Sequence, residues 1–437
     1  MSRDAHLPIL RNPASQIAYT GMNVLHVIAD MDPVKGGVCQ AVRTIIVGLA
    51  EQGVHSEVVS LDLPTANFLT RDTAKVHALG PGKGPWRYSS QLLPWLQNNL
   101  SRFDKILVHG LWLYPGFAVS RALKQLRKNA APVIPQLFVM PHGMLDPYFQ
   151  KAGERKWKAW RNAIYWKIFE RQLIYQAEAL LFTCEAELLL ARQSFQPYMP
   201  KREQVVGLGV SDPPAYKEDM RSTFLAHCPG LGLQPYILYL GRIHEKKGIN
   251  LLVQAYANLA ADFDEAQRTA VGTKGDASEA LNRKQAGSLP LLVIAGPGLD
   301  TPYGQRLQQV VSESPTICSS IFFPGMLTGN AKWGAYYGCE TFVLPSHQEN
   351  FGIAVVEALA CRKPVLISNQ VNIWREIQTT GAGLVASNTL EGTYSLLEHW
   401  CSLTQAAKLA LGEQSYTTYC EHFAVEPAAL KLREALQ

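Results

Sequence analysis

Glu349 and Glu357 flank an apolar run in HQENFGIAVVEALACRKPV, residues 347–365. Two carboxylates at this spacing could act as acid and base, ligate a metal, or grip the hydroxyls of a sugar. The surrounding residues narrow the choice. FVLPS reads as a strand, HQENFG as a loop and IAVVEALACR as a helix, so Glu349 precedes the helix and Glu357 lies about one turn inside it. The amides of Asn350, Phe351, Gly352 and Ile353 are then helix-start donors without intrahelical acceptors, suited to anionic oxygens. One ligand lying over this helix end could touch both carboxylates, with neither acting as a catalytic acid.

Other loops carry compatible chemistry. In LYLGRIHEKKG, Gly241-Arg242 and Lys247-Gly248 place two cations between a strand and a helix start, where a forked guanidinium and an ammonium suit a phosphate. Gly325, Met326 and Leu327 follow another strand and could hold a flat base through backbone groups. In the first half, Gly36-Gly37 of VKGGV permit close ligand approach, and His142 of MPHGMLDP stands at a strand end. AGPGLD reads as a plain tight turn. Neither it nor the turn after the first strand is GxGxxG, which argues against a nicotinamide enzyme.

These loops need a scaffold, and the apolar patterning supplies one. Strand-like runs alternate with amphipathic helices along most of the 437 residues, which predicts parallel α/β sheets and two domains. Residues 1–21 read as an extension, 22–212 as one Rossmann-like domain, 213–234 as a linker, 235–405 as a second Rossmann-like domain, and 406–437 as helices packing back toward the first domain. In such folds ligands bind beyond the strand C-termini, where every loop singled out above lies. Residues 262–288 are polar and read as a surface insertion. A net charge of +5 suits an anionic ligand or surface but is too small to argue for nucleic acid. Eight cysteines without a CxxC pair look like reduced thiols, and neither a signal peptide nor a membrane span is expected, so the protein is expected in the cytoplasm.

Taken together, GRxxxxKG at 241–248, the loop at 325–327, E-x7-E with FG inside it, the GG loop at 36–37 and HG at 142–143 resemble the retaining glycosyltransferases of family four, over residues 22 to 390. The resemblance implies the two-Rossmann GT-B fold and a nucleotide-diphosphate sugar donor, with residues 22–212 as the acceptor domain and 235–405 as the nucleotide-sugar domain. It implies that Arg242 and Lys247 neutralise the diphosphate, Glu349 contacts the donor-sugar hydroxyls, and the amides of Phe351 to Ile353 hold phosphate or sugar oxygens. Glu357 would take the ribose, Met326 and Leu327 would border the base, and Gly241 would share the phosphate loop. His142 would lie beside the sugar, with Gly36 and Gly37 approaching the phosphates from the opposite domain. Asn350 departs from the family, which commonly has Gly there, and Trp374-Arg375-Glu376 stand near the usual GxPE turn. Front-face transfer with retention is implied, and no DxD cluster is placed for Mg²⁺, so no metal or other cofactor is expected. A sugar-nucleotide 2-epimerase and a non-catalytic sugar-nucleotide scaffold share the fold. The acceptor would be a glycan or a lipid-linked molecule.

KAGERKWKAWRNAIYWKIFERQ, residues 151–172, interleaves basic and aromatic residues. At 100° per residue Trp157, Trp160, Ile164 and Ile168 share one stripe, which predicts packing on that face. Trp166 is then expected outside, among basic residues, where it could meet an anionic membrane surface.

Overall fold

The computed structural model describes residues 21–148, 162–272 and 289–437. The first sheet has seven parallel strands: β1 (Asn23–Val27), β2 (His55–Ser60), β3 (Lys75–Ala78), β4 (Lys105–His109), β5 (Gln136–Met140), β6 (Ala179–Phe182) and β7 (Glu203–Val205). Their order is β3-β2-β1-β4-β5-β6-β7. The second sheet has six: β8 (Tyr236–Leu240), β9 (Leu291–Ala295), β10 (Ile321–Gly325), β11 (Thr341–Leu344), β12 (Val365–Ser368) and β13 (Gly383–Ala386), ordered β10-β9-β8-β11-β12-β13. All the pairings are parallel, so each connection crosses over through a helix or loop on a sheet face. Central strands such as β4 and β9 are buried along their length because helices cover both faces. The strand order reverses between β1 and β4 and between β8 and β11, and the loops of interest gather at those two places.

Three local readings need correction. The helix that starts at Ile249 runs to Gly272, eleven residues into the predicted insertion, and residues 273–288 lie outside the described residues. Edge strands β3 and β13 escaped the sequence reading because both are short and only half-buried, without the apolar run of a central strand. The third concerns residues 151–172, of which 151–161 lie outside the described residues. In the remainder Trp166 is 1% exposed and stacks on Phe195, with ring centroids 4.8 Å apart, while Ile164 and Ile168 are 38% and 54% exposed. The inward stripe is Trp166, Glu170, Leu173 and Ile174. It carries a carboxyl, so apolar periodicity pointed to the wrong face. Glu170 accepts the amide of Trp112 at 2.7 Å, and burial pushes its pKa up to about 8.

The C-terminus joins the halves. The helix Gln405–Thr418 packs on Ile353–Ala360 and Trp374–Thr380 in the second domain, whereas Val425–Leu436 packs on Gly37–Glu51 in the first. Between them the chain crosses beside the interdomain segment: Val210 donates to Phe423 O at 2.8 Å, and the Tyr419 hydroxyl lies 2.8 Å from both Val210 O and Asp212 Oδ1.

Candidate active site

β8 ends in Gly241-Arg242, and its loop closes through a short 3-10 turn, Glu245–Lys247, onto Gly248. β11 ends beside it, and its loop, residues 345–352, is held from several sides. His347 donates its amide to Lys246 O at 2.8 Å, Glu349 N donates to Gln370 O at 3.0 Å, and Asn372 N donates to Glu349 O at 3.0 Å. Glu349 is thereby aimed at Lys247, and the two form an ion pair in which both side chains are half-buried. The spacing of 102 residues gave no hint of this contact.

The helix Ile353–Ala360 starts at Gly352, which has left-handed backbone geometry and provides no side-chain cap. The amides of Phe351 to Ala354 find no acceptor among the described residues. These donors and the positive end of the helix dipole lie next to the Lys247–Glu349 pair, so this corner can accept anionic oxygens and hydroxyls together. The Phe351 side chain does not face a ligand; it is buried edge-on against Phe423, ring centroids 5.8 Å apart, and anchors the loop.

Glu357 already has partners. Lys332 donates to one oxygen at 2.6 Å and the buried hydroxyl of Tyr336 to the other at 3.0 Å. Each oxygen retains acceptor capacity, so a ribose could add to this arrangement rather than replace it. Arg242 is exposed and lines a cavity of about 480 Å³ with His244, Pro297, Gly298, Tyr303 and Arg306. Leu327 is buried and Met326 exposed at the end of β10, where Gly325 accepts the amide of Gly296 at 2.8 Å. Among the described residues, no hydrogen bond or ion pair joins Arg242, Met326 or Leu327 to the Lys247–Glu349 pair.

The first domain faces this corner. Gly37 begins its helix so close to Ile353 that a Cβ would stand 3.4 Å from Ile353 Cδ1. Gly143 has a positive φ of 78°, and the Asn350 side chain fills the space a Cβ would need, 2.5 Å from Asn350 Cγ. Asn350 Nδ2 also reaches Thr183 Oγ1 at 3.4 Å, and Gln348 Nε2 donates to Asp146 Oδ2 at 3.0 Å. The residue that departs from the family pattern therefore sits at the junction of the two domains. Buried Glu187 holds the same loop, accepting the Gly143 amide at 2.5 Å and the Thr183 hydroxyl at 2.6 Å, and its pKa is raised because it is buried.

His142 is half-buried with a φ of 52°, a left-handed geometry uncommon for a non-glycine residue. Behind it run two histidines that sequence reading missed. His142 Nε2 lies 3.0 Å from His109 Nδ1, His109 Nε2 lies 3.0 Å from His26 Nδ1, and His26 Nε2 lies 3.3 Å from Ser56 Oγ. Burial pushes His26 down to about 3 and His142 down to about 4, and His109 also lies well below the usual imidazole value. The available signal was a histidine inside or at the end of two apolar strands, NVLHV and KILVH. His109, Gly36, Asp30, Gly110 and Met144 line a pocket of about 160 Å³ at the β1/β4 reversal, where Asp30 pairs with Arg87. Among the described residues, no three His, Cys, Asp or Glu side chains come together to hold a metal ion.

Comparisons bear on this geometry. A profile described as "Glycosyl transferases group 1" matches residues 232–393, and one described as "Glycosyl transferase 4-like domain" matches residues 36–209. D-inositol 3-phosphate glycosyltransferase of Rhodococcus opacus (strain B4) is 25% identical over 282 residues, covering 62% of this chain and 55% of that one. The chain thus spans about half the length of the curated relatives it matches. Sucrose-phosphate synthase from Thermosynechococcus elongatus superposes with a TM-score of 0.66 at 18% identity, covering 95% of this chain and 98% of that one. The Anabaena protein HepE, solved in complex with UDP, gives 0.68 at 14% identity, covering 95% and 99%. These two likenesses establish the shared two-domain GT-B architecture.

Proposed function

This chain belongs to the group 1 glycosyl transferases, and we propose that it moves a sugar, with retention, from a nucleotide-diphosphate sugar to a glycan or lipid-linked hydroxyl in polysaccharide biosynthesis. The observation that carries this reading is the Lys247–Glu349 pair beside the uncapped start of the helix Ile353–Ala360. Lys247, Arg242 and the free amides would stabilise charge developing on the leaving diphosphate, an electrostatic contribution made by groups already in place. Glu349 would take the sugar hydroxyls and Glu357 the ribose. His142 would border the sugar from the first domain, and the pocket beside Asp30 and His109 would receive the acceptor. Front-face attack then needs no second carboxylate as nucleophile. The structurally similar HepE, solved with UDP and with UDP-glucose, supports a uridine donor as the first choice to test. A nucleotide-sugar panel by thermal shift, followed by product analysis with candidate acceptors, tests the reading. No stabilisation by any nucleotide sugar would sink it.

The two glutamates should separate. Glu349→Gln is expected to slow sugar transfer more than it weakens UDP binding, and Glu357→Gln to do the reverse. Calorimetry with UDP, GDP and ADP on both variants, beside initial rates, checks this; identical losses in the two variants reject the two-ended grip. Neutralisation by side chains and amides also makes the proposed chemistry independent of metal. Activity is therefore expected to survive EDTA, and complete loss restored by Mg²⁺ or Mn²⁺ would refute this part.

A lipid-linked acceptor implies contact with the inner face of the membrane. No helix among the described residues is long and apolar enough to cross one, so the proposed contact is peripheral. With Trp166 buried, its apolar face is Ile164 and Ile168, beside Lys167 and Arg171. Sedimentation with anionic liposomes is expected to show binding at low salt that weakens at high salt and on changing Lys156, Lys158 and Arg161 to Glu. Absence of binding at low salt rejects the contact.

A further inference from the structure

The three histidines come from separate strands or strand ends of the first sheet, His26 within β1, His109 at the end of β4 and His142 just after β5. Their rings stack as well as hydrogen-bond: centroids are 5.3 Å apart at both steps, with planes 12° and 28° from parallel. His26 is fully buried and His109 is 6% exposed. Every inward-facing ring nitrogen has a partner, and the series ends on the Ser56 hydroxyl. The nitrogen left over is His142 Nδ1, which has no partner among the described residues.

An array of this kind has two self-consistent neutral arrangements. In one, each Nε2–H donates inward, Ser56 accepts, and His142 Nδ1 is a bare acceptor. In the other, Ser56 donates to His26, each Nδ1–H donates outward along the series, and His142 presents an N–H at Nδ1. Both arrangements hold the same number of protons and satisfy the same hydrogen bonds, and the hydroxyl of Ser56 serves either one. A charged ring could still donate to both neighbours, so the hydrogen bonds alone do not exclude it; what disfavours it is the cost of burying an imidazolium in a site without a counter-charge.

We infer that His26 and His109 are positioning residues for His142, fixing its ring plane and keeping it neutral while letting Nδ1 meet a sugar hydroxyl as either donor or acceptor. The inference rests on the reading of His142 as a residue that borders the donor sugar. It also gives a reason for the left-handed backbone at His142: the ring must turn inward to meet His109, and Glu187 secures the next amide. His109 also lines the first-domain pocket proposed above for the acceptor, so it stands between that pocket and His142. The array therefore links the two halves of the cleft without carrying charge between them.

Two measurements test this, one of them independent of activity. Long-range ¹H–¹⁵N correlation spectra of the full chain with ¹⁵N-labelled histidine, assigned by substitution, should show His26, His109 and His142 as neutral rings carrying one proton each, with matched tautomer populations in all three. That state should persist in mildly acidic buffer. Changing His109 to Phe should uncouple the tautomer populations of His142 from those of His26 and lower kcat for the nucleotide sugar by roughly 10–100-fold while the UDP Kd stays within about twofold. His109→Gln should recover most of the rate, because its amide can accept from one neighbour and donate to the other. An imidazolium signature for any of the three in the wild-type protein overturns the inference, as does an unchanged kcat in a folded His109→Phe variant. Should no nucleotide sugar be turned over at all, the functional reading fails and the spectra still decide the array.

Discussion

Replacing Arg242 and Lys247 together with alanine is expected to lower sugar transfer by ~10²–10⁴-fold while leaving the fold intact. Each charge-assisted contact to a phosphate is worth about 1.5–3 kcal/mol, and two lost contacts multiply their effects on rate. Stability should change little, because Arg242 is exposed and the Lys247–Glu349 pair is accessible enough for solvent to weaken it. Lys247→Ala should cost more than Arg242→Ala, since it also frees Glu349 from the position in which the pair holds it. Initial rates with a donor panel, beside thermal melts of the same samples, make the measurement. Wild-type rates in a folded double variant would remove the diphosphate assignment.

A large loss of stability is expected from Gly248→Ala. Gly248 has a φ of 66°, and a Cβ there would stand 2.0 Å from the carbonyl oxygen of Pro345. That oxygen belongs to backbone at the end of β11 and cannot swing aside as a flexible side chain would. Left-handed strain of about 1–2 kcal/mol combines with overpacking of about 1–3 kcal/mol, so a loss of roughly 2–5 kcal/mol follows. Gly84 provides the comparison. Its φ is also 66°, but nothing lies within 4 Å of the Cβ position, so Gly84→Ala should show the strain alone. Urea denaturation of both variants separates the two contributions, and equal losses would contradict the argument. The Gly248 variant should also bind donor less well, because the contact it disturbs brings the Lys247 turn beside the Glu349 loop.

What was readable in the sequence follows from burial. β4 and β9, covered on both faces, appear as unbroken apolar runs, and the loops after them could be placed without knowing the sheet order. Edge strands β3 and β13 are half-exposed and look like ordinary loop sequence. The candidate residues were found because strand C-terminal loops are where such folds bind ligands. Their partners were not found, because partners depend on register between distant segments. His26 and His109 are 83 residues apart, and no local pattern joins them. Glu357 looked like an open carboxylate until Lys332 and Tyr336 folded against it from the helix Gly329–Gly338. Trp166 misled for a similar reason: a buried carboxylic acid, Glu170, interrupted the apolar stripe that should have revealed its direction.

The paired crossing at Val210 and Phe423 sets the mechanics of the cleft. The two connections between the domains run side by side there and are bonded to each other, and Tyr419 fastens both to the buried core. A single tether would let one domain spin on the other; two adjacent tethers resist that rotation and leave bending about the crossing as the easy motion. The bonds of Gln348 to Asp146 and Asn350 to Thr183 lie at the mouth of the cleft instead, formed by residues of the donor loop itself. Opening would break these few polar contacts and spare the crossing, so the loop that would grip the donor is also the clasp that keeps the jaws shut.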